Sequence, residues 1–217
     1  MKSKQRVADH GEVFTAEREV NAMLDLVKQE TDRIDSRFLE PACGTGNFLT
    51  EVLIRKLSIV EKKYKRNQLD FERYSVVAIS SMYGVDILED NIAECRERLF
   101  NIFNKKYMKI YKKKSKDSVR DSIKFILDKN IICGDALSLK TVGSNPIPIT
   151  FSEWAMPFGS MIKRRDYYFE TLTNDMKKDD LFSVSENLKS DTGVDVFIPH
   201  PVKSYPATHF LRIADAW

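Results

Sequence analysis

The chain alternates between short apolar runs and longer stretches in which apolar residues recur at helical spacing. Three runs are predicted to be strands, and each ends at a turn that contains a carboxylate, namely Glu40, Asp86 or Asp135. The stretches between them predict helices over about 47–65, 70–81, 92–103 and 117–127. Strands that alternate with helices indicate an α/β fold with a doubly wound, mostly parallel sheet. We therefore expect the three acids to meet at one edge of that sheet.

The turn after the first strand is the most informative stretch of the sequence. Gly44 and Gly46 permit positive φ and close approach of the backbone, and Asn47 is a candidate cap for the following helix. Glu40 disfavours a phosphate ligand here and favours a ligand with a cationic end, because a carboxylate repels an anion. On this pattern alone, an ordinary turn between a strand and a helix is an equally good interpretation.

The two ends of the chain carry weaker patterns. Residues 1–16 predict a loop that enters a helix capped by Thr15, with Glu17 in its first turn. Residues 147–154 and 194–198 are further candidate strands, and between them the alternation of strands and helices fades. With only three clear strands, we expect a sheet that is either truncated or completed by a partner.

Composition narrows the classes of protein without choosing among them. The chain has 217 residues, of which 42% are hydrophobic, and its 35 basic and 32 acidic residues nearly balance at a net charge of +3. A nucleic-acid surface would therefore have to come from local clusters. The three cysteines are widely spaced, and the histidines lack the spacing of metal ligands, so we expect no disulfide framework and no metal. A polar N-terminus without a long apolar run predicts a cytoplasmic protein without membrane insertion.

Four segments, taken in order, resemble successive motifs of S-adenosylmethionine-dependent DNA adenine-N6 methyltransferases. They are Gly-Glu-Val-Phe-Thr at 11–15, Glu-Pro-Ala-Cys-Gly-Thr-Gly-Asn-Phe-Leu at 40–49, Tyr-Gly-Val-Asp at 83–86 and Cys-Gly-Asp-Ala-Leu at 133–137. The resemblance covers roughly residues 5–140 and implies a Rossmann-like class I methyltransferase fold. It also implies S-adenosylmethionine as the cofactor and DNA as the substrate.

The resemblance assigns roles to individual residues. Glu40 would lie near the ammonium group of the cofactor, Asp86 would bind the ribose hydroxyls, Ile87 would pack on adenine, and Asp135 would accept from the adenine amino group. The other residues expected around the methionine part are Phe14, Thr15, Ala42 and Gly44. A carboxylate is a natural acceptor for a diol and for an exocyclic amine, so the chemistry agrees with these assignments.

The sequence departs from the family in two places. Ala16 stands where the family usually has proline. More importantly, the family's Asp/Asn/Ser-Pro-Pro-aromatic tetrapeptide, which holds the target base, is absent from the sequence. Ser152, Glu153 and Trp154 are the replacement candidates, as hydrogen-bond acceptors and a stacking ring, although a Trp that fills the core is the simpler interpretation.

Three functions remain open at this point. The chain is a DNA adenine methyltransferase of restriction-modification type, a cofactor-binding subunit whose partner supplies the acceptor site, or a nucleic-acid-binding module on a methyltransferase scaffold. A homo-oligomer is another way to complete the fold. Lys163, Arg164 and Arg165 are candidates for contacts to DNA, and so is the lysine-rich stretch 105–116. We expect residues 1–154 to form the cofactor-binding domain and residues 155–217 to form an extension packed on the same domain.

Overall fold

The computed structural model describes residues 15–173 and 200–216. Its first sheet contains β1 (Phe38–Glu40), β2 (Met82–Asp86), β3 (Ile131–Asp135) and β4 (Lys140–Thr141), in that spatial order. The first three strands are parallel, and β4 returns antiparallel to β3. The predicted α/β class and the mostly parallel Rossmann-like sheet are therefore confirmed.

Helices connect the parallel strands. α1 (Glu17–Leu26) and α2 (Lys28–Thr31) precede the sheet, α3 (Asn47–Tyr64) and α4 (Gln68–Ser80) link β1 to β2, and α5 (Glu89–Tyr111) and α6 (Asp117–Asn130) link β2 to β3. The four long helices that the apolar periodicity predicts are all present, within a few residues at most ends. The predicted helix that contains Phe103 is α5, which continues through the basic residues as far as Tyr111.

A second, antiparallel sheet follows. A long hairpin pairs β5 (Thr150–Phe158) with β6 (Met161–Tyr168), and the short strands β7 (Lys203–Ser204) and β8 (Thr208–His209) add to β6. α7 (Phe169–Thr173) follows β6, and α8 (Ile213–Ala216) follows β8 after one 3₁₀ turn. The predicted strand at 147–154 corresponds to β5, whereas the predicted strand at 194–198 lies outside the described residues.

Two apolar clusters cover opposite faces of the parallel strands. Met82 belongs to the larger cluster, which α3 to α6 build together with Ile162 and Phe210 from the C-terminal part. Tyr83 and Val85 point to the other face and pack against residues just before and after the hairpin, such as Phe169. The chain beyond residue 147 therefore closes a face of the parallel sheet.

The start of α1 and the extent of β5 bear on two predicted boundaries. Ala16, not Thr15, occupies the position before α1, where its amide donates to Glu19 Oε2 at 3.3 Å. The expected division at residue 154 falls inside β5, and the two-part organisation stays a prediction. In the described parts of the chain, no helix combines the length and the apolar character needed to cross a membrane.

Candidate functional site

The loop between β1 and α3 is shaped by two glycines with positive φ. Gly44 has φ of +49°, and a Cβ there would meet nothing within 4 Å, so the loop is open to a ligand at this point. Gly46 has φ of +84°, and a Cβ there would lie 2.5 Å from Cys95 Sγ on α5. Gly46 also occupies the N-cap position of α3, so the expectation that Asn47 caps this helix is wrong. Gly46 takes the N-cap position with a left-handed backbone, so Asn47 is already the first residue of the helix.

Neighbouring elements hold this loop in place. The Cys43 amide donates to the Val85 carbonyl of β2 at 2.8 Å. Arg98 of α5 donates to the Thr45 carbonyl at 2.7 Å and to Asn47 Oδ1 at 2.8 Å. We did not predict a role for Arg98 from the sequence. The sequence feature that could have predicted it is its position three residues after Cys95, which places both residues on the same face of α5.

Asp86 joins the glycine loop to the end of β2. Its Oδ2 accepts from the Gly44 amide at 2.9 Å, and its Oδ1 accepts from the Leu88 amide at 3.0 Å and from Asn91 Nδ2 at 3.1 Å. A carboxylate offers about four lone-pair directions, so three donors leave about one, on Oδ2. The geometry therefore brings together two segments that the sequence places 42 residues apart. Asn91 is a second contributor that sequence reasoning missed.

The three acids predicted to share an edge lie on adjacent parallel strands. Glu40 pairs in register with Gly84, two residues before Asp86, and Asp86 pairs with Cys133, two residues before Asp135. The acids therefore step outwards along the carboxyl ends of β1, β2 and β3, where open α/β sheets bind ligands.

Glu40 and Asp135 differ in their electrostatic surroundings. Partial burial raises the pKa of Glu40, and the Ala42 amide partly offsets this effect. The Leu137 amide, 2.8 Å from Oδ1, and the Ser138 hydroxyl lower the pKa of Asp135, which is partly exposed at the end of β3. Asp135 is therefore a stable anion at neutral pH, whereas Glu40 would gain from a nearby cation.

Apolar and polar groups beside the acids complete the surface. Ile87 is 45% exposed and Leu137 is 96% exposed, so both present apolar surface to solvent. Ala42 is exposed in the loop, and the Thr15 carbonyl accepts from Asn47 Nδ2 at 3.4 Å. Thr15 therefore lies against the glycine loop, while Phe14 lies outside the described residues.

Comparison with known proteins places the chain in a family. The family model described as MmeI, DNA-methyltransferase domain, matches residues 14–195, which is well over half of the chain. The chain belongs to this family of restriction-modification methyltransferases. No curated protein and no solved structure matches it.

In this family member, Ser152 lies in a buried polar network of the second sheet. Its hydroxyl donates to Asp166 Oδ1 at 2.8 Å, and Arg164 binds the same carboxylate through Nε and Nη2, both at 2.7 Å. The Tyr205 hydroxyl is 3.2 Å from Asp166 Oδ2. The network links β5 to β6. Ser152 is only 2% exposed, so its hydroxyl is shielded from solvent.

The other two acceptor candidates are also engaged in the fold. Glu153 forms ion pairs with Arg37 at 2.5 Å and with Arg165 at 2.8 Å. The Trp154 ring packs against Phe125 of α6 with centroids 6.2 Å apart. These contacts are those of a partly buried tryptophan packed against the core and of structural ion pairs, and the acceptor role of 152–154 stays a prediction without geometric support.

Two of the three candidate DNA contacts at 163–165 are also engaged within the fold. Arg164 is buried in the network with Asp166, and Arg165 is paired with Glu153. Lys163 is partly exposed on β6. Of the three, Lys163 offers the best access to a phosphate, and their joint role in DNA binding stays a prediction.

Within the described residues, the three cysteines do not form a metal site. Cys43, Cys95 and Cys133 are free thiols. A hydrogen bond with the Cys95 thiol, together with burial, raises the pKa of Cys43, which therefore stays a neutral thiol. No group of three potential metal ligands occurs among residues 15–173 and 200–216.

Proposed function

We propose that the chain binds S-adenosylmethionine at the edge formed by the glycine loop, Asp86 and Asp135, and serves in methylation of adenine N6 in DNA. The observation that carries this proposal is the hydrogen bond from the Gly44 amide to Asp86 Oδ2. It joins an open glycine loop to a carboxylate that has one acceptor direction left. A ligand with a charged amino acid end, a ribose in the middle and an adenine at the other end fits both features.

The remaining contacts follow the length of such a ligand. Glu40 would face the ammonium group, and the approach of that cation would favour its charged form. The ribose would reach Asp86 Oδ2, and a second ribose hydroxyl would have to replace one of the three present donors. The adenine would lie between Ile87 and Leu137, and its amino group would donate to the anionic Asp135.

A specific observation favours a second function, that of a cofactor-binding subunit whose acceptor site comes from another chain. Ser152 belongs to the buried network, Trp154 is partly buried against the core, and the paired prolines that hold a flipped base in related enzymes are absent. Among the described residues, β1 pairs only with β2, and Leu39 at its centre is 43% exposed. Parallel strands are rarely so exposed, so a partner strand on this edge would complete both the sheet and the site.

A methyl-transfer assay separates the two functions. The purified chain is incubated with methyl-labelled S-adenosylmethionine and mixed-sequence duplex DNA, and the DNA is then digested to nucleosides. Label in N6-methyl-2′-deoxyadenosine from the single chain supports the first function and rules out an obligatory partner. Cofactor binding without transfer supports the second function.

The site of modification provides a further check on the proposal. Label recovered only in a methylated cytosine would contradict the adenine assignment while leaving the cofactor site intact. The Ser152→Ala variant tests the weak acceptor candidate separately. If transfer is seen and this variant loses it while its unfolding curve is unchanged, Ser152 contributes to the reaction despite its burial.

A further inference from the structure

A basic surface lies at the end of the molecule opposite to the glycine loop. α3 and α5 both begin near the carboxyl edge of the sheet and end away from it, so their C-terminal ends lie together at the other edge. We call this surface the basic end. Its six exposed cationic residues are Lys65, Arg66, Lys109, Lys112, Lys113 and Lys114.

Two hydrogen bonds hold the two halves of the basic end together. The Tyr111 hydroxyl donates to the Lys65 carbonyl at 3.1 Å, and Gln68 Nε2 donates to the Lys114 carbonyl at 2.7 Å. The Tyr111 ring also packs edge-on against Phe71, with centroids 5.3 Å apart. Cations from segments more than 40 residues apart are therefore concentrated on one ordered surface.

Acidic residues near the basic end are already paired with other lysines. Glu61 binds Lys106 at 2.6 Å, and this hydrogen bond lowers the pKa of Glu61, with Lys109 and Lys65 adding to the effect. The buried Glu72 binds Lys116 at 2.7 Å. None of the six cations of the basic end forms an ion pair with an acidic residue of the described ranges. The surface therefore carries a net positive charge that the fold itself does not neutralise.

Stabilisation of helix ends accounts for only part of this charge. Lysines in the last turn of a helix interact favourably with its dipole, which explains Lys109. The three lysines 112–114 lie beyond the end of α5, in one 3₁₀ turn. Lys112 has φ of +48°, a backbone conformation that residues other than glycine rarely adopt. Three like charges in a strained turn do not serve the stability of the fold, and they indicate a ligand that compensates them.

We infer that the basic end binds the phosphate backbone of duplex DNA, as a contact surface separate from the candidate cofactor site. α5 starts three residues after Asp86 and is about 35 Å long at 1.5 Å per residue, so the two sites lie at opposite ends of one helix. The choice of DNA rests on the proposed function, because DNA is the polyanion that a DNA methyltransferase meets. Contacts of this kind are independent of sequence and strengthen association without choosing the base.

The test compares two triple variants that lose the same charge. Lys109→Gln/Lys113→Gln/Lys114→Gln removes half of the basic end and leaves the strained Lys112 unchanged. Lys28→Gln/Lys124→Gln/Lys203→Gln removes three exposed lysines elsewhere. Binding of a labelled mixed-sequence duplex of about 30 base pairs is followed by fluorescence anisotropy between about 50 and 200 mM NaCl.

The inference predicts a difference in salt dependence between the variants. The slope of log K against log salt should fall by about 2 to 3 in the basic-end variant, since each phosphate contact contributes about 0.9, and should stay close to the wild-type slope in the control. Equal losses in both variants, an unchanged slope in the first, or no DNA binding by the wild type would overturn the inference. Loss of binding to anionic lipid vesicles with unchanged DNA binding would likewise overturn it.

Calorimetry with S-adenosylmethionine on the same proteins keeps this inference distinct from the proposed function. The basic-end variant should bind the cofactor as the wild type does, because its substitutions lie at the far end of α5. Failure of all proteins to bind the cofactor would remove the proposed function and leave the DNA-binding result standing on its own.

Discussion

Replacing Lys56 with methionine should remove a pH dependence from the stability of the fold. Lys56 lies on α3 with 0% exposure. Its ammonium group donates to the Ser36 carbonyl and to Ser81 Oγ, the latter at 2.5 Å, and lies 5.1 Å from the centroid of the Phe38 ring. Burial lowers the pKa of Lys56 from its usual 10.5 to about 7, although Asp35 opposes this shift.

The sign and size of the effect follow from these values. Between pH 7 and 10.5 the unfolded chain holds a proton on Lys56 that the folded chain has lost, so stability rises with pH across this window and falls as the pH drops towards 7. At about 1.4 kcal/mol per pKa unit, the full contribution is roughly 5 kcal/mol, of which about 2 kcal/mol is gained between pH 7 and 9. Methionine has a similar shape and no proton, so the Lys56→Met variant should lack this gain.

Urea denaturation at about pH 7, 8 and 9 measures the effect. The quantity of interest is the difference in unfolding free energy between wild type and variant at each pH, because other titrating groups cancel in it. Lys63→Met, an exposed lysine on the same helix, is the control and should keep the wild-type slope. A Lys56→Met variant whose stability rises with pH as steeply as the wild type would refute the lowered pKa.

Two further predictions concern packing. In thermal unfolding, Gly46→Ala should destabilise the fold by clearly more than Gly44→Ala. Both substitutions place a side chain on a left-handed residue, which costs about 1 kcal/mol. Only at Gly46 would the new Cβ also clash with Cys95 Sγ, 2.5 Å away. Equal losses would mean that α5 yields to the new methyl group. Asp166→Leu should lower the free energy of unfolding by about 3 to 5 kcal/mol, because it leaves Arg164 buried without its partner. Adding Arg164→Met should recover much of this loss. If urea denaturation shows that the two losses simply add, the residues are not a coupled pair.

The parallel half of the fold could be predicted because its signals are local. Apolar spacing predicted α3, α4 and α6, and the acids at the ends of three runs predicted the edge on which Glu40, Asp86 and Asp135 lie. The hydrogen bond between Gly44 and Asp86 could not be predicted in this way, because it depends on how two distant loops approach each other.

The hairpin of β5 and β6 was not predicted as a unit for a physical reason. Residues 161–169 mix charges with aromatics, a pattern typical of a surface, and nothing in it shows that Arg164 and Asp166 neutralise each other inside the protein. For the same reason 163–165 suggested a DNA contact. A charged residue in a sequence says little about burial until its partner is known.

Cofactor binding is the most direct test of the central claim. Isothermal titration with S-adenosylmethionine should give a saturable signal for the wild type and for Asp90→Ala, an exposed acid close to the site. Asp86→Ala should weaken binding by roughly 100-fold, because it removes both the acceptor for the ribose and the bond that holds the Gly44 amide. Absence of binding by the wild type, or equal affinity of wild type and Asp86→Ala, would contradict the account.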